Sequence, residues 1–480
     1  MAGIGFELKK LAEHDNIMGV VAAYASAGLA AAGPWLFTIF AIAGITILYA
    51  NNLAYEDLIV FRVILVYNLA ASLVLSSPVF MVITRYIADA ISARDVTNVP
   101  STLLGCLVLL FAIQIVPALF FYGYYFDLSL ALRVSAIGNL FLLTGVWLLG
   151  VYLMALKDFH AVNWSYGIGM LVAVLAAHYL REEYGAVGML NGFNIGISII
   201  VFTLVAKVFA EYPYRYGKPF DMMPSFKNYY QLALGGFFYN LAIWVDKLIM
   251  WFAPEALDTI YRDNNIITNM IMYPDYDSAM FLAYVTIVPS MAVFVFSVET
   301  NFFQRYRRYY DDILEHKPFK TIRENGQKML DSVLHHSRTF MVVQGAISFL
   351  AIVLAAQILD ALNISYRQIG IFRLGVLGGM MHVLAMFMMI ILSYFDSRSR
   401  VMWLQFFFLI SNIVFTLIFM LYQPAYGFED GIFGFPYYGY GYFLSSALTF
   451  LLTAFVLFRF MNKLAYHAFI THNNTIRITR

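Results

Sequence analysis

Residues 58–91 read LIVFRVILVYNLAASLVLSSPVFMVITRYIADAI. From Val63 to Thr84 there is no charged side chain, a run long enough to exceed the roughly 20 apolar residues that a helix needs to cross a bilayer core. Arg85 then closes the run on one side, and a membrane-spanning helix is predicted. The same pattern recurs along nearly all of the 480 residues. Further spans are predicted at 17–48, 102–126, 131–156, 161–180 and 186–210, then at 229–252, 278–303, 337–361, 369–395, 401–422 and 438–463. The fold class expected is an all-α membrane protein of about twelve transmembrane helices in two six-helix bundles. The expected organisation is a first bundle at 1–210, a linker at 211–228, a second bundle at 229–463 and a tail at 464–480.

The composition agrees with that class. Hydrophobic residues make up 61% of the chain and charged residues 12%, against about 25% charged in an ordinary soluble domain. A water-soluble fold could not hide that much apolar surface. Lys and Arg concentrate on the side shared by both termini; only Arg62, Arg133, Arg181, Arg262, Arg367 and Arg373 fall on the other, and Lys247 lies within a span. By the positive-inside rule both termini are expected in the cytoplasm. The first apolar run is too long for a signal peptide and is expected to stay as a membrane helix.

Catalytic signals are missing. There is no P-loop, zinc motif, GxSxG elbow or glycine-rich dinucleotide fingerprint, and nothing suggests a nucleic-acid partner. Cys106 is the single cysteine, so no disulfide can form within the chain. His335 and His336 are adjacent without ligand spacing, and neither a metal nor a cofactor is expected. An enzyme is therefore not expected. A membrane-embedded glycosyltransferase would need an acidic outer loop, for which 253–277 is the one place, or a cytosolic nucleotide-sugar domain, for which there is no room.

Ionisable groups inside the hydrocarbon are costly and point to function. The sharpest are Asp246 and Lys247 in LAIWVDKLIMWF. Asp246 would sit about 7 Å outward of its span's centre at 1.5 Å per residue. Adjacent helix residues point about 100° apart, so each is expected to face a different partner or a cavity, binding substrate or a coupling ion. The plain alternative is that Lys247 snorkels to the outer interface and Asp246 follows. Glu299 near an inner helix end is a further candidate, with Arg305 as a structural partner in the other reading. Gly33, Pro34, Pro78 and Pro289 loosen backbone hydrogen bonds inside spans and are hinge candidates, ordinary packing kinks being the alternative. Arg305, Arg307 and Arg308, crowded into the 304–336 connection, could hold anionic lipid headgroups or an acidic partner. The aromatic run at 433–443 reads as interface anchoring for the last span, or as a surface for sugar rings. Residues 1–16 could lie as a helix on the inner membrane surface.

Several stretches together resemble a known family. They are MAGIGFELKKL at the start with AGPW at 32–35, TRYIAD (84–89), LAIWVDKLIMW (241–251), YDSAMFLAYVTIVP (276–289), VETNFFQRYRRYY (298–310), RLGVLGGMMHVL (373–384) and YYGYG (437–441). In this order they resemble the PelG family, membrane transporters of the Pel exopolysaccharide machinery. The resemblance implies the multidrug/oligosaccharidyl-lipid/polysaccharide flippase fold in the bacterial inner membrane, and a substrate rich in N-acetylated amino sugars. It also implies PelD-like and PelE-like membrane partners and a PelF-like cytosolic glycosyltransferase. It carries over no binding residues. A relative of the same fold could instead flip a lipid-linked oligosaccharide or export small cationic compounds in exchange for protons or sodium.

Overall fold

A computed structural model describes residues 36–49, 55–156, 159–212, 217–253, 256, 269–297, 302–362, 364–422, 438–467 and 469. Gly33, Pro34, Glu299, the surface segment 1–16 and most of the 253–277 loop lie outside these residues. Among the described residues all regular structure is helical. The helices used below are α1 Leu36–Tyr49, α2 Tyr55–Ser92, α3 Val99–Ala118, α4 Leu130–Leu156, α5 Phe159–Glu211, α6 Tyr230–Met250, α7 Pro274–Val285, α8 Val288–Ser297, α9 Phe303–Leu314, α10 Phe319–Val353, α11 Ile369–Tyr394, α12 Arg398–Tyr422 and α13 Tyr440–Asn462.

Ten stretches among the described residues are long and apolar enough to cross a membrane, and α1 is a shorter apolar helix. The stretch Val162–Glu211 contains two of the expected spans. They part at Gly185, where φ is +56° and the chain doubles back. A side chain is strained in that left-handed conformation, so glycine suits the turn. Asp57 locks it, accepting from the Ala186 N–H at 3.0 Å and from Arg181 Nε at 3.2 Å. Beyond the turn, Gly188, Gly192 and Gly196 recur every fourth residue along one face. A Cβ on Gly192 would lie 2.2 Å from the Ala177 backbone nitrogen, and one on Gly196 2.3 Å from the Gly169 carbonyl oxygen. The two arms of α5 thus meet backbone to backbone, the close approach that small residues permit in membranes.

The chain forms two compact units, divided between Tyr273 and Pro274. The division falls one helix later than the linker 211–228, because α6 packs along α2. A Cβ on Gly236 would lie 2.5 Å from Met81 Cγ and 3.2 Å from the Ser77 carbonyl oxygen, so the two helices nearly touch there. The described part of the linker is docked too: the Gly217 N–H donates to Ser101 Oγ at 3.1 Å, and Asn98 Nδ2 to Asp221 at 3.2 Å. The first unit's core is built on Phe61, Ile64, Ile83, Phe193, Ile197 and Leu204. In the second, Phe294, Phe340 and Phe387 form a mutual ring cluster.

On α13, Leu451, Phe455 and Phe458 are 55–66% exposed while Ser445, Ser446 and Thr453 are fully buried. Apolar surface outside and hydroxyls inside suit a lipid solvent, and the chain is a multi-pass membrane protein. Part of the 304–336 connection is helical: α9 and the first half of α10 form a hairpin, with Tyr309 and Ile313 packed in one cluster with Ile322, Met329 and Val333. Glu183, at the α5 turn, and Glu324, on this hairpin, are both exposed. In a Cys106→Ala background, Glu183→Cys is expected to react with a membrane-impermeant thiol reagent on intact spheroplasts, and Glu324→Cys only after permeabilisation. The reverse pattern would invert the topology.

Candidate transport site

Asp246 and Lys247 are 0% and 7% exposed. They pair with each other, which corrects the expectation that neighbouring helix residues cannot. Lys247 Nζ lies 3.1 Å from both Asp246 carboxylate oxygens and 3.0 Å from the Ile243 carbonyl oxygen. The 100° separation applies to the Cα–Cβ bonds; the long lysine stem folds back toward the helix N-terminus, the direction helical side chains favour. The same fold-back takes Nζ away from the C-terminal end of α6, opposite to the snorkelling reading. Just beyond, Trp251 stacks on Tyr67 with centroids 4.6 Å apart, and the Tyr67 hydroxyl donates to the Ile271 carbonyl at 2.7 Å.

The same unit holds a second polar feature that the sequence reading missed. Asn68 Nδ2 donates to Asn139 Oδ1 and to the Ala136 carbonyl, both at 2.9 Å, while Asn68 Oδ1 accepts from the Tyr122 hydroxyl at 2.6 Å. Asn139 Nδ2 continues to Asn194 Oδ1 at 2.7 Å, and Asn194 Nδ2 to the Ser135 carbonyl at 3.0 Å. A parallel relay runs from Thr144 through Gln114 to Ser76. These bonds tie α2, α3, α4 and the second arm of α5 together without charge. Satisfied buried networks of this kind fix a unique packing. The available signal was a carboxamide in each of four largely apolar spans.

At Pro78 the missing N–H leaves the Val74 carbonyl without its helical donor. Ser77 Oγ supplies the replacement at 2.7 Å, and α2 runs through unbroken. Pro289 differs: the expected span 278–303 breaks at Thr286–Ile287 into α7 and α8 just before it. The Ser290 hydroxyl lies within donating reach of both the Ile287 carbonyl, at 2.8 Å, and Gln344 Oε1, which share its one hydrogen.

The arginine cluster is divided by its partners. Arg305 Nη1 donates to the Lys328 carbonyl at 2.8 Å, clamping the hairpin. Arg307 lies 3.6 Å from Asp311 and stays well exposed, as does Arg308. Beside them the Lys317 ammonium and the Asn325 amide hold the Asp312 carboxyl below the usual carboxylate range. That contact stabilises the hairpin at neutral pH and is lost as pH falls through the lowered value. In the aromatic run, Tyr438 and Tyr442 are buried, each 1% exposed, so those two do not anchor an interface. Tyr442 OH instead lies 2.9 Å from His382 Nδ1. Among the described residues no group of three or more His, Cys, Asp or Glu is placed to hold a metal.

The architecture has solved counterparts. An outward-facing multidrug resistance MATE family transporter of the MOP superfamily superposes with a TM-score of 0.62 at 13% identity, over 93% of this chain and 96% of that one. A MOP superfamily transporter from Pyrococcus furiosus gives 0.59 at 13% identity, over 92% and 95%. The MATE transporter ClbM in complex with Rb+ gives 0.55 at 11% identity, over 91% and 94%. The fold is therefore that of a MOP-superfamily membrane transporter. Residues 1–469 match the model of the PelG family, described as "Putative exopolysaccharide Exporter (EPS-E)", and the chain belongs to that family. No curated protein matches the chain.

Proposed function

We propose that this protein moves a nascent, amino-sugar-rich polysaccharide of the Pel type across the bacterial inner membrane, with Asp246 and Lys247 acting in translocation. The observation that carries the reading is the family match over residues 1–469. The buried ion pair supports it, since a purely apolar α6 would avoid a price of roughly 2.5–3.5 kcal/mol for each charge. The chain contributes transport and no catalysis; polymerisation belongs to a PelF-like glycosyltransferase, held at the membrane with PelD-like and PelE-like proteins. Exposed Arg307 and Arg308 suit the docking of an acidic cytosolic surface. A lipid-linked oligosaccharide or a small cationic compound is the second reading, favoured by the likeness to multidrug transporters.

Deleting the gene in a polymer-producing host and restoring it on a plasmid tests the proposal. Surface polysaccharide is expected to vanish and return, with cytosolic nucleotide sugar unchanged. Unaltered surface polymer in the deletion, together with altered lipid-linked oligosaccharide or drug sensitivity, would favour the second reading.

A further inference from the structure

The last described membrane helix carries an unusual run of hydroxyls. Ser445, Ser446, Thr449 and Thr453 of α13 are each at most 2% exposed, and their hydroxyl oxygens have no hydrogen-bond partner among the described residues. Elsewhere the chain handles helical Ser and Thr differently. Thr46, Thr84, Ser135, Thr144, Thr203, Ser278, Ser337 and Ser393 each donate to the carbonyl four residues back. That bond is the usual refuge of a hydroxyl inside a helix. The four on α13 do not take it, although an unsatisfied buried polar group is costly and calls for a partner.

Their placement is as specific as their lack of partners. Ser445, Ser446, Thr449 and Thr453 follow the helical repeat along the buried face of α13, which packs against α11 and α12. Tyr442 with His382 stands one turn toward the helix start, and buried Asn412 and Thr416 lie on α12. A Cβ on Gly441 would come within 2.6 Å of the Thr416 Cα, so the helices touch there, before the run begins. The buried residues of these three helices include no Asp, Glu, Lys or Arg. The chemistry on offer is neutral donors and acceptors: each hydroxyl can do both. An inorganic ion would find no opposite charge here. A sugar segment, with hydroxyl and acetamido groups at close intervals, matches it.

We propose that the Ser445–Thr453 face of α13 is a glycan-binding track that takes up neutral sugar units during transport. The track rests on the export reading above and adds to it the residues that hold the cargo. A row of single, uncharged hydrogen bonds suits a moving chain, because each contact is weak enough to be exchanged for the next.

The test uses the full-length protein in lipid nanodiscs with the β-1,4-linked tetramer of N-acetylglucosamine as probe. The variant Ser445→Ala/Ser446→Ala/Thr449→Val/Thr453→Val keeps side-chain volume nearly unchanged and is expected to melt at or above the wild-type temperature. It should bind the tetramer at least tenfold more weakly and export polymer at least tenfold less. The companion Thr449→Ser/Thr453→Ser, which keeps the hydroxyls and drops the methyls, should stay within twofold of wild type in binding and export. Wild-type binding by the hydroxyl-free variant would overturn the track. So would equal loss of melting temperature and binding in both variants, which would make the face a packing seam. Wild-type protein that exports polymer yet ignores the tetramer would overturn the track and leave export standing. Wild-type protein that binds the tetramer but exports nothing would sink the export reading and leave the track.

Discussion

Asp246→Ala is expected to destabilise the first unit by about 3–5 kcal/mol, since it removes the carboxylate that faces a buried ammonium. The ammonium is 3.1 Å from both carboxylate oxygens and 3.0 Å from the Ile243 carbonyl oxygen, so the carboxylate is its one oppositely charged neighbour among these contacts. Low steady-state protein should follow, which alone would hide any transport role. The double variant Asp246→Leu/Lys247→Leu separates the two, because replacing a buried pair by apolar residues of similar volume is often neutral or stabilising. It should accumulate at wild-type level and fail to export polymer. Normal export by the well-expressed double variant would leave the pair a structural feature only. Recovery of protein in the double variant, read on the same blot as the single variant, also checks that the two side chains are partners.

Gly192→Val should be strongly damaging to the first unit. Even a Cβ at this position would sit 2.2 Å from one backbone nitrogen and 2.5 Å from the Ala177 Cα, and backbone cannot rotate away as a side chain can. Overpacking of this kind costs about 1–3 kcal/mol and occasionally more; with a branched side chain against backbone, about 3 kcal/mol or more is expected, seen as loss of membrane-inserted protein. Gly138→Ala is the control, for nothing lies within 4 Å of its Cβ position. Equal expression of both variants would show that the arms of α5 are not in backbone contact.

The fold class was legible because lipid imposes one rule along the whole chain: about 20 apolar residues per crossing, with cations gathered on one side. Span limits were less so where two effects overlap. The spans expected at 161–180 and 186–210 do flank the turn at Gly185, whereas the polar first half of α10, expected as a connection, is helical because Ile322, Met329 and Val333 recur on one face beneath an otherwise charged surface. The candidate pair on α6 was legible in residue identity but not in geometry. Asp246 and Lys247 announce themselves as charges in an apolar span, whereas their mutual pairing depends on a lysine rotamer that spacing does not reveal. The carboxamides of Asn68, Gln114, Asn139 and Asn194 are ordinary residues individually; only the structure brings them to one another. The α13 hydroxyls are subtler still, since Ser and Thr are unremarkable in membrane helices unless their hydrogen bonds are known to be missing.

The central claim, that this chain carries polysaccharide across a bilayer, is tested most directly in inside-out membrane vesicles containing it together with the proposed PelF-like glycosyltransferase and PelD-like and PelE-like membrane proteins. Radiolabelled nucleotide sugar is added outside, followed by a glycosidase that cannot enter. Labelled polymer is expected to accumulate in the vesicle lumen, protected from the enzyme until detergent is added, and protection should disappear with Asp246→Leu/Lys247→Leu while synthesis continues. Polymer made at the normal rate by wild-type vesicles but fully digestible without detergent would contradict the account.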